Sequence, residues 1–155
     1  MIGEAGLEAS RVPAAGLPYH PIATGKLRRA LAWRNVTDLT VRVPAGFAQA
    51  WRLLGRLRPD VVVATGGFVS VPPALAAAAR RRPLLVHEQV AVPGLANRLI
   101  ARVADRVAVT FASSASAFPS TKVVVTGNPL RPELFRGDPA RGRARLGFEA
   151  GLPVV

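Results

Sequence analysis

Residues 59–99, PDVVVATGGFVSVPPALAAAARRRPLLVHEQVAVPGLANRL, decide the fold. They read as two consecutive strand–loop–helix units. Asp60 to Thr65 is a β-branched apolar run ending in Gly66-Gly67, and Pro72 to Arg80 is an alanine-rich helix. Pro83 to His87 is a second apolar run, followed by Glu88 and Gln89, then Pro93-Gly94 and another helix. Near-continuous apolar strands alternating with helices predict an α/β fold, with a Rossmann-like parallel sheet buried on both faces. In such sheets the loops after the carboxyl ends of the strands form the ligand crevice. Gly66, Gly67, His87, Glu88 and Gln89 all fall in those loops, with Thr65 where the first of them begins.

Working outward, Leu39 to Leu57 has helical spacing, with Phe47, Trp51, Leu54 and Leu57 three or four residues apart. Pro44 is expected to start or kink that helix. Further upstream, Leu17 to Ile22 suits a strand, Glu4 to Ser10 a short helix, and Met1-Ile2-Gly3 the last residues of a strand. Downstream, Arg106 to Phe111 and Lys122 to Thr126 read as strands separated by a Ser/Ala loop, Ala112 to Ser120. Asp138-Pro139 fits an N-cap followed by proline at the first helical position, opening a helix over Ala140 to Leu146. Leu152 to Val155 resembles the opening of another strand. The expected organisation is one domain over residues 1–150, with 151–155 as the start of a truncated strand or a linker.

The composition limits the alternatives. A chain of 155 residues suits one domain with a real core, and half of it is apolar with 19% charged, which argues against disorder. The net charge of +12, from 21 Lys and Arg against 9 Asp and Glu, suggests an anionic partner, although a general Arg- and Ala-rich bias produces the same total. Cysteine is absent, which excludes disulfides and thiolate metal sites. Met1 is followed by Gly3, Glu4 and Gly6 rather than by a secretory signal pattern. Val61 to Ala79 carries no charge, but Gly66-Gly67 and Pro72-Pro73 interrupt it, so a membrane-spanning helix is not expected.

Individual residues admit both functional and structural readings. Gly66 and Gly67 permit positive φ and close approach of a ligand to the backbone, as at a phosphate site, yet a tight turn needs the same residues. His87 at a strand end suits a hydrogen-bonded structural role, and no second His or carboxylate stands at metal-ligand spacing, so no metal is expected. Glu88 can orient a hydroxyl or a loop amide, or act as a base if its pKa is raised. Asn97 and Arg98 read as capping or packing residues. Arg131 suits a diphosphate through its always-charged, bidentate guanidinium. Lys26, Arg28, Arg29 and Arg34 surround Leu27, Leu31 and Trp33, which fits either a monotopic membrane surface or a solvated amphipathic helix. One Tyr and six Phe, with no recognisable module, give no support to nucleic-acid binding.

Three motifs carry a family resemblance: TGGFVS (65–70), HEQVAVPGLANRL (87–99) and TGNPLR (126–131). In this order and spacing they resemble the MurG glycosyltransferases, whose versions read roughly GGYVS, HEQNAVPG-x-x-N and GNPVR. The resemblance implies the acceptor-side, amino-terminal domain of a GT-B enzyme. Such an enzyme transfers N-acetylglucosamine (GlcNAc) from UDP-GlcNAc to lipid I, giving lipid II for peptidoglycan, at the cytoplasmic face of the plasma membrane. It further implies cleft roles for Thr65, Gly66, Gly67, His87, Glu88 and Gln89, and a sugar-nucleotide contact at Arg131 beside Asn128. No cofactor is implied. A basic-rimmed apolar patch would meet anionic inner-leaflet phospholipid, the part offered here by Lys26 to Arg34. Val90 departs from the pattern, because the family usually has Asn there and valine offers no side-chain hydrogen bond. The family's GGTGGH loop, which holds its candidate catalytic His, and its carboxy-terminal donor domain have no counterpart in the 155 residues. The chain is therefore expected to be an inactive fragment of such an enzyme. The alternative is a non-catalytic remnant or a membrane-docking binding module.

Overall fold

The computed structural model describes residues 1–24 and 38–149. Two parallel sheets form its frame. In the smaller, β1 (Ile2–Gly3) pairs with β2 (His20–Pro21), and α1 (Glu8–Ala14) connects them. In the larger, β3 (Val62–Ala64), β4 (Leu84–Glu88), β5 (Arg106–Val109) and β6 (Val123–Val125) pair in that order, every pair parallel. The helices α2 (Val43–Leu57), α3 (Val71–Ala79) and α4 (Leu95–Val103) pack against these strands, and α5 (Pro139–Leu146) follows β6.

The register explains the core. Val62 lies beside Leu84, Ala64 beside Val86, Val86 beside Val107, and Glu88 beside Val109. Because side chains alternate along a strand, Ala64, Leu84, Val86, Val107 and Val109 share one face. They are buried there against Ala74 of α3 and Ala96, Ile100 and Ala101 of α4. A second cluster joins Ala50 and Leu54 of α2 to Ala76 and Ala77 of α3, with Ile2 and Val62 packed beside it. Alanine on α3 allows this close approach between helices. Gly46 lets α2 approach the segment after β2, since a Cβ there would stand 2.0 Å from the Ala23 carbonyl oxygen. Beside that cluster, Phe47 stacks on Trp51 with ring centroids 6.0 Å apart, and the Arg80 guanidinium lies 4.2 Å from the Trp51 ring centroid.

Several sequence expectations need correction. The face of the larger sheet away from α3 and α4 is buried only in part: His87 and Ala108 are buried there, whereas Val63 and Val124 at the outer strands are 55% and 50% exposed. The first helix runs over Glu8–Ala14 rather than Glu4 to Ser10. The Glu4 carbonyl accepts the Tyr19 hydroxyl instead of a helical amide, so the helix starts later and takes in Pro13 in its exposed last turn. The strand expected over Leu17 to Ile22 contracts to His20–Pro21. The Leu39 to Leu57 pattern divides into a π-helical turn over Asp38–Arg42 and α2, with Pro44 in the first turn of α2. Ala112–Ala117 is a 3₁₀ helix rather than a loop, and there the Ser114 hydroxyl donates to the Phe111 carbonyl at 2.7 Å. The charge-free stretch from Val61 to Ala79 divides into β3, a 3₁₀ turn and α3. Among the described residues no helix is long and apolar enough to cross a membrane. The basic segment Lys26 to Arg34 and the strand expected at Leu152 to Val155 lie outside the described residues.

Candidate functional site

The carboxyl ends of β3 and β4 open onto a depression of about 310 Å³. Thr65, Gly66, Gly67 and Phe68 form one wall, Glu88, Gln89 and Val90 a second, and the first turn of α4 a third. Glycine is required in the first wall. Gly66 and Gly67 have φ of +101° and +77°, values that residues with a Cβ rarely adopt. A Cβ on Gly66 would also lie 2.9 Å from Asn97 Nδ2. Ser70 secures the turn from the next helix, its hydroxyl donating to the Gly66 carbonyl at 2.6 Å.

Glu88 organises the second wall. It is only 3% exposed, and its two carboxylate oxygens accept three hydrogen bonds. Val90 N donates at 3.1 Å, Gly94 N at 3.3 Å and Asn97 Nδ2 at 3.0 Å. One carboxylate thus fixes both ends of the 88–94 loop. It also sits at the amino-terminal end of α4, where the helix dipole favours negative charge. A side chain engaged by three donors suits a group that positions a loop rather than one free to reach a substrate. Asn97 links the two walls, with its amide against both Glu88 and the Gly66 backbone and its buried Oδ1 unpartnered.

His87 lies on the other side of β4. It is buried, and its Nε2 donates to the Gly127 carbonyl at 3.2 Å, which ties the loop after β6 to the β4 end. The structure therefore brings Thr65, Gly66, Gly67, Glu88, Gln89 and Val90 to one depression and attaches the Gly127 turn behind it. Asn128 and Arg131 are exposed and do not line the depression. Val90 is 54% exposed, its backbone engaged by Glu88 and its side chain open to solvent. Among the described residues, no group of three or more His, Asp or Glu gathers to hold a metal ion.

The Glu88–Asn97 bond escaped the sequence reading, which left Asn97 as capping or packing. A signal for it exists. Ala96, Asn97, Ile100 and Ala101 are the buried residues of α4, so Asn97 is a polar member of an apolar stripe. Such a residue needs a buried partner.

Residues 1–109 match the glycosyltransferase family 28 N-terminal domain. The chain belongs to this family. The chain is 43% identical over 150 residues to the UDP-N-acetylglucosamine–N-acetylmuramyl-(pentapeptide) pyrophosphoryl-undecaprenol N-acetylglucosamine transferase of Lachnoclostridium phytofermentans. That match covers 97% of this chain and 42% of the relative. The identically named protein of Moorella thermoacetica is 47% identical over 144 residues, covering 92% of this chain and 38% of the relative. Among solved structures, Acinetobacter baumannii MurG superposes with a TM-score of 0.65 at 30% identity, covering 84% of this chain and 36% of that one. A Rickettsia bellii UDP-N-acetylglucosamine 2-epimerase shares the fold, with a TM-score of 0.59 at 13% identity over 96% of this chain and 43% of that one. The chain thus spans about two fifths of the length of the relatives it matches.

Proposed function

We propose that this chain forms the acceptor side of an inverting N-acetylglucosaminyltransferase that converts lipid I to lipid II with UDP-GlcNAc as donor. The observation that carries the reading is the depression itself. Stretches far apart in sequence, TGGFVS and HEQVAVPGLAN, meet there at the carboxyl ends of adjacent parallel strands, and Asn97 couples them. Two relatives more than 40% identical bear the name of that activity.

In this reading the 4-hydroxyl of the lipid I muramoyl group attacks the anomeric carbon of GlcNAc. The new glycosidic bond forms as the bond to UDP breaks, the hydroxyl proton passes to a base, and UDP leaves with the bonding electrons. The chain's own part is to shape the acceptor cleft. Glu88 presents the 88–94 loop, and the Gly66-Gly67 turn keeps one wall free of side chains. Arg131 is assigned to the nucleotide diphosphate, whose developing charge its guanidinium would stabilise. Holding the donor in attack geometry supplies up to about 7–11 kcal/mol, and that needs a donor-binding half besides these residues. The 155-residue chain by itself is therefore expected to show no turnover.

The deciding experiment uses lipid I and labelled UDP-GlcNAc. The isolated chain should give no lipid II above the blank, whereas a protein in which both the family's glycine-rich amino-terminal loop and a donor half are restored should turn over. In that protein Arg131→Ala should raise the KM for the sugar nucleotide about tenfold, as expected for losing a charge-assisted contact of about 1.5–3 kcal/mol. Unchanged donor and acceptor kinetics would remove Arg131 from the site.

We place the protein at the cytoplasmic face of the plasma membrane as a peripheral protein, held by anionic phospholipid through Lys26, Leu27, Arg28, Arg29, Leu31, Trp33 and Arg34. Replacing Lys26, Arg28 and Arg29 with Gln should weaken binding to anionic vesicles, as should added salt. Equal binding to neutral and anionic vesicles before mutation would refute this placement.

A further inference from the structure

His87 and Glu88 are consecutive on β4, so their side chains leave the sheet on opposite faces. Glu88 serves the depression, and His87 serves a different loop. The register partner of His87 on β5 is Ala108, whose own partner on β6 is Val124. A residue as small as Ala108 leaves the imidazole room to cross β5 on that face. Nε2 then meets the Gly127 carbonyl at 3.2 Å, beyond the end of β6. A carbonyl only accepts, so Nε2 carries the proton of that bond.

The Gly127 carbonyl is the root of a stiff arm. Thr126 N still donates to the Val109 carbonyl at 3.0 Å, and Gly127 then turns the chain away from the sheet with a φ of +74°. Among the described residues no backbone amide from 127 to 131 donates a hydrogen bond, so the His87 bond is the last tie of this segment to the sheet. The Thr126 hydroxyl donates to the same carbonyl at 3.1 Å, but it belongs to the segment itself. Pro129 fixes its own φ and confines Asn128 to extended backbone. Pro132 does the same to Arg131, whose φ and ψ are −65° and +134°. Orienting the Gly127 carbonyl therefore orients a short, restricted segment that ends at Arg131.

We propose, on the reading that Arg131 meets the donor diphosphate, that His87 is a positioning residue for that contact, holding the 127–131 arm where the guanidinium reaches the sugar nucleotide. The end of β4 thus carries two neighbours with separate duties: Glu88 sets the acceptor-side loop and His87 the donor-side arm. Without the tie the arm samples other positions, and apparent donor affinity falls with the fraction of time it is in place. Saturating donor restores that position, so kcat survives. A residue that only packed would behave otherwise, because its loss would disturb stability and the kinetics of both substrates together.

The test uses the protein with the glycine-rich loop and a donor half restored. His87→Phe keeps the bulk of the ring and removes the donor. The KM for UDP-GlcNAc should rise about fivefold, the weight of one hydrogen bond on a conformational equilibrium. Both kcat and the KM for lipid I should stay within about twofold. His87→Gln, whose Nε2 extends about as far as that of the imidazole, should return the donor KM to within about twofold of the unsubstituted protein. His87→Asn, whose amide extends only as far as Nδ1, should match Phe, and it replaces Phe should that variant not fold. In an Arg131→Ala background, His87→Phe should add less than about twofold, since both act through one contact. An unchanged donor KM in His87→Phe and His87→Asn, with Arg131→Ala raising it, would overturn the positioning role alone. An unchanged donor KM in Arg131→Ala would remove the nucleotide contact itself, and the role of His87 with it. Equal losses in kcat and both KM values that Gln does not relieve, or full additivity with Arg131→Ala, would leave His87 as a packing residue and also overturn the proposal.

Discussion

The loops after β4 and after β6 begin alike and end differently. Each follows a parallel strand, each contains a glycine and a proline, and each carries one of the three family motifs. The first is anchored by Glu88, whose carboxylate collects donors from residues 90, 94 and 97. The second is joined to the sheet through the Gly127 carbonyl and His87, and Asn128 to Arg131 beyond it are exposed. Strand and turn composition therefore do not make a rigid wall. A buried acceptor with several amides in reach does, because leaving those buried donors unsatisfied would be costly. The loop after β6 has no such anchor, which suits a segment whose polar groups await a ligand or another surface.

If this contrast is real, Glu88→Ala should be the most damaging change in either loop. It strips three donors of their acceptor and should lower unfolding free energy by about 3 kcal/mol in urea, as expected for buried groups left unsatisfied. A loss below about 1 kcal/mol would mean that packing, not the carboxylate, holds the 88–94 loop. Gly66→Ala comes next. It forces a Cβ into positive φ and against the Asn97 amide, at a cost of about 2 kcal/mol. Asn97→Ala in the same background should recover part of that loss if the amide is the obstacle, and a double-mutant cycle measures the recovery.

Changes beyond β6 should be smaller and local. The Asp138 carboxylate accepts from Ala140 N at 2.9 Å and Arg141 N at 3.2 Å, and α5 has no buried residue. Asp138→Ala should therefore cost about 1 kcal/mol of helix stability, read as faster amide exchange over residues 140–146, while the global urea midpoint stays put. Arg131→Ala should leave global stability within about 0.5 kcal/mol, the range for exposed positions without structural partners. A larger loss would show that the loop after β6 is packed after all.

Much of this was readable before any coordinates. The apolar runs at Asp60 to Thr65, Pro83 to His87, Arg106 to Phe111 and Lys122 to Thr126 each contain an observed strand, and Asp138-Pro139 opens a helix as its capping chemistry requires. Those features rest on local signals of composition and periodicity. What escaped depended on particular side-chain bonds. The start of α1 is set by the Tyr19 hydroxyl, fifteen positions from the Glu4 carbonyl it binds, the Ser/Ala segment is curled by a hydroxyl bonding three residues back, and the Glu88–Asn97 bond spans a strand end and a helix. Burial of the sheet on both faces was expected from the apolar runs alone, but a run records only that each side chain is apolar, not that something covers it. The candidate site was legible as a set of loops, and its internal wiring was not.

The indole of Trp51, stacked on Phe47 and capped by the Arg80 guanidinium, supplies an optical handle on this molecule. The sequence holds only two tryptophans, Trp33 and Trp51, so Trp33→Phe would leave a single emitter at the seam where α2 meets α3. Its emission wavelength and lifetime would follow opening of the seam, separately from secondary structure, and show whether the two-stranded sheet of β1 and β2 loosens before the four-stranded sheet melts.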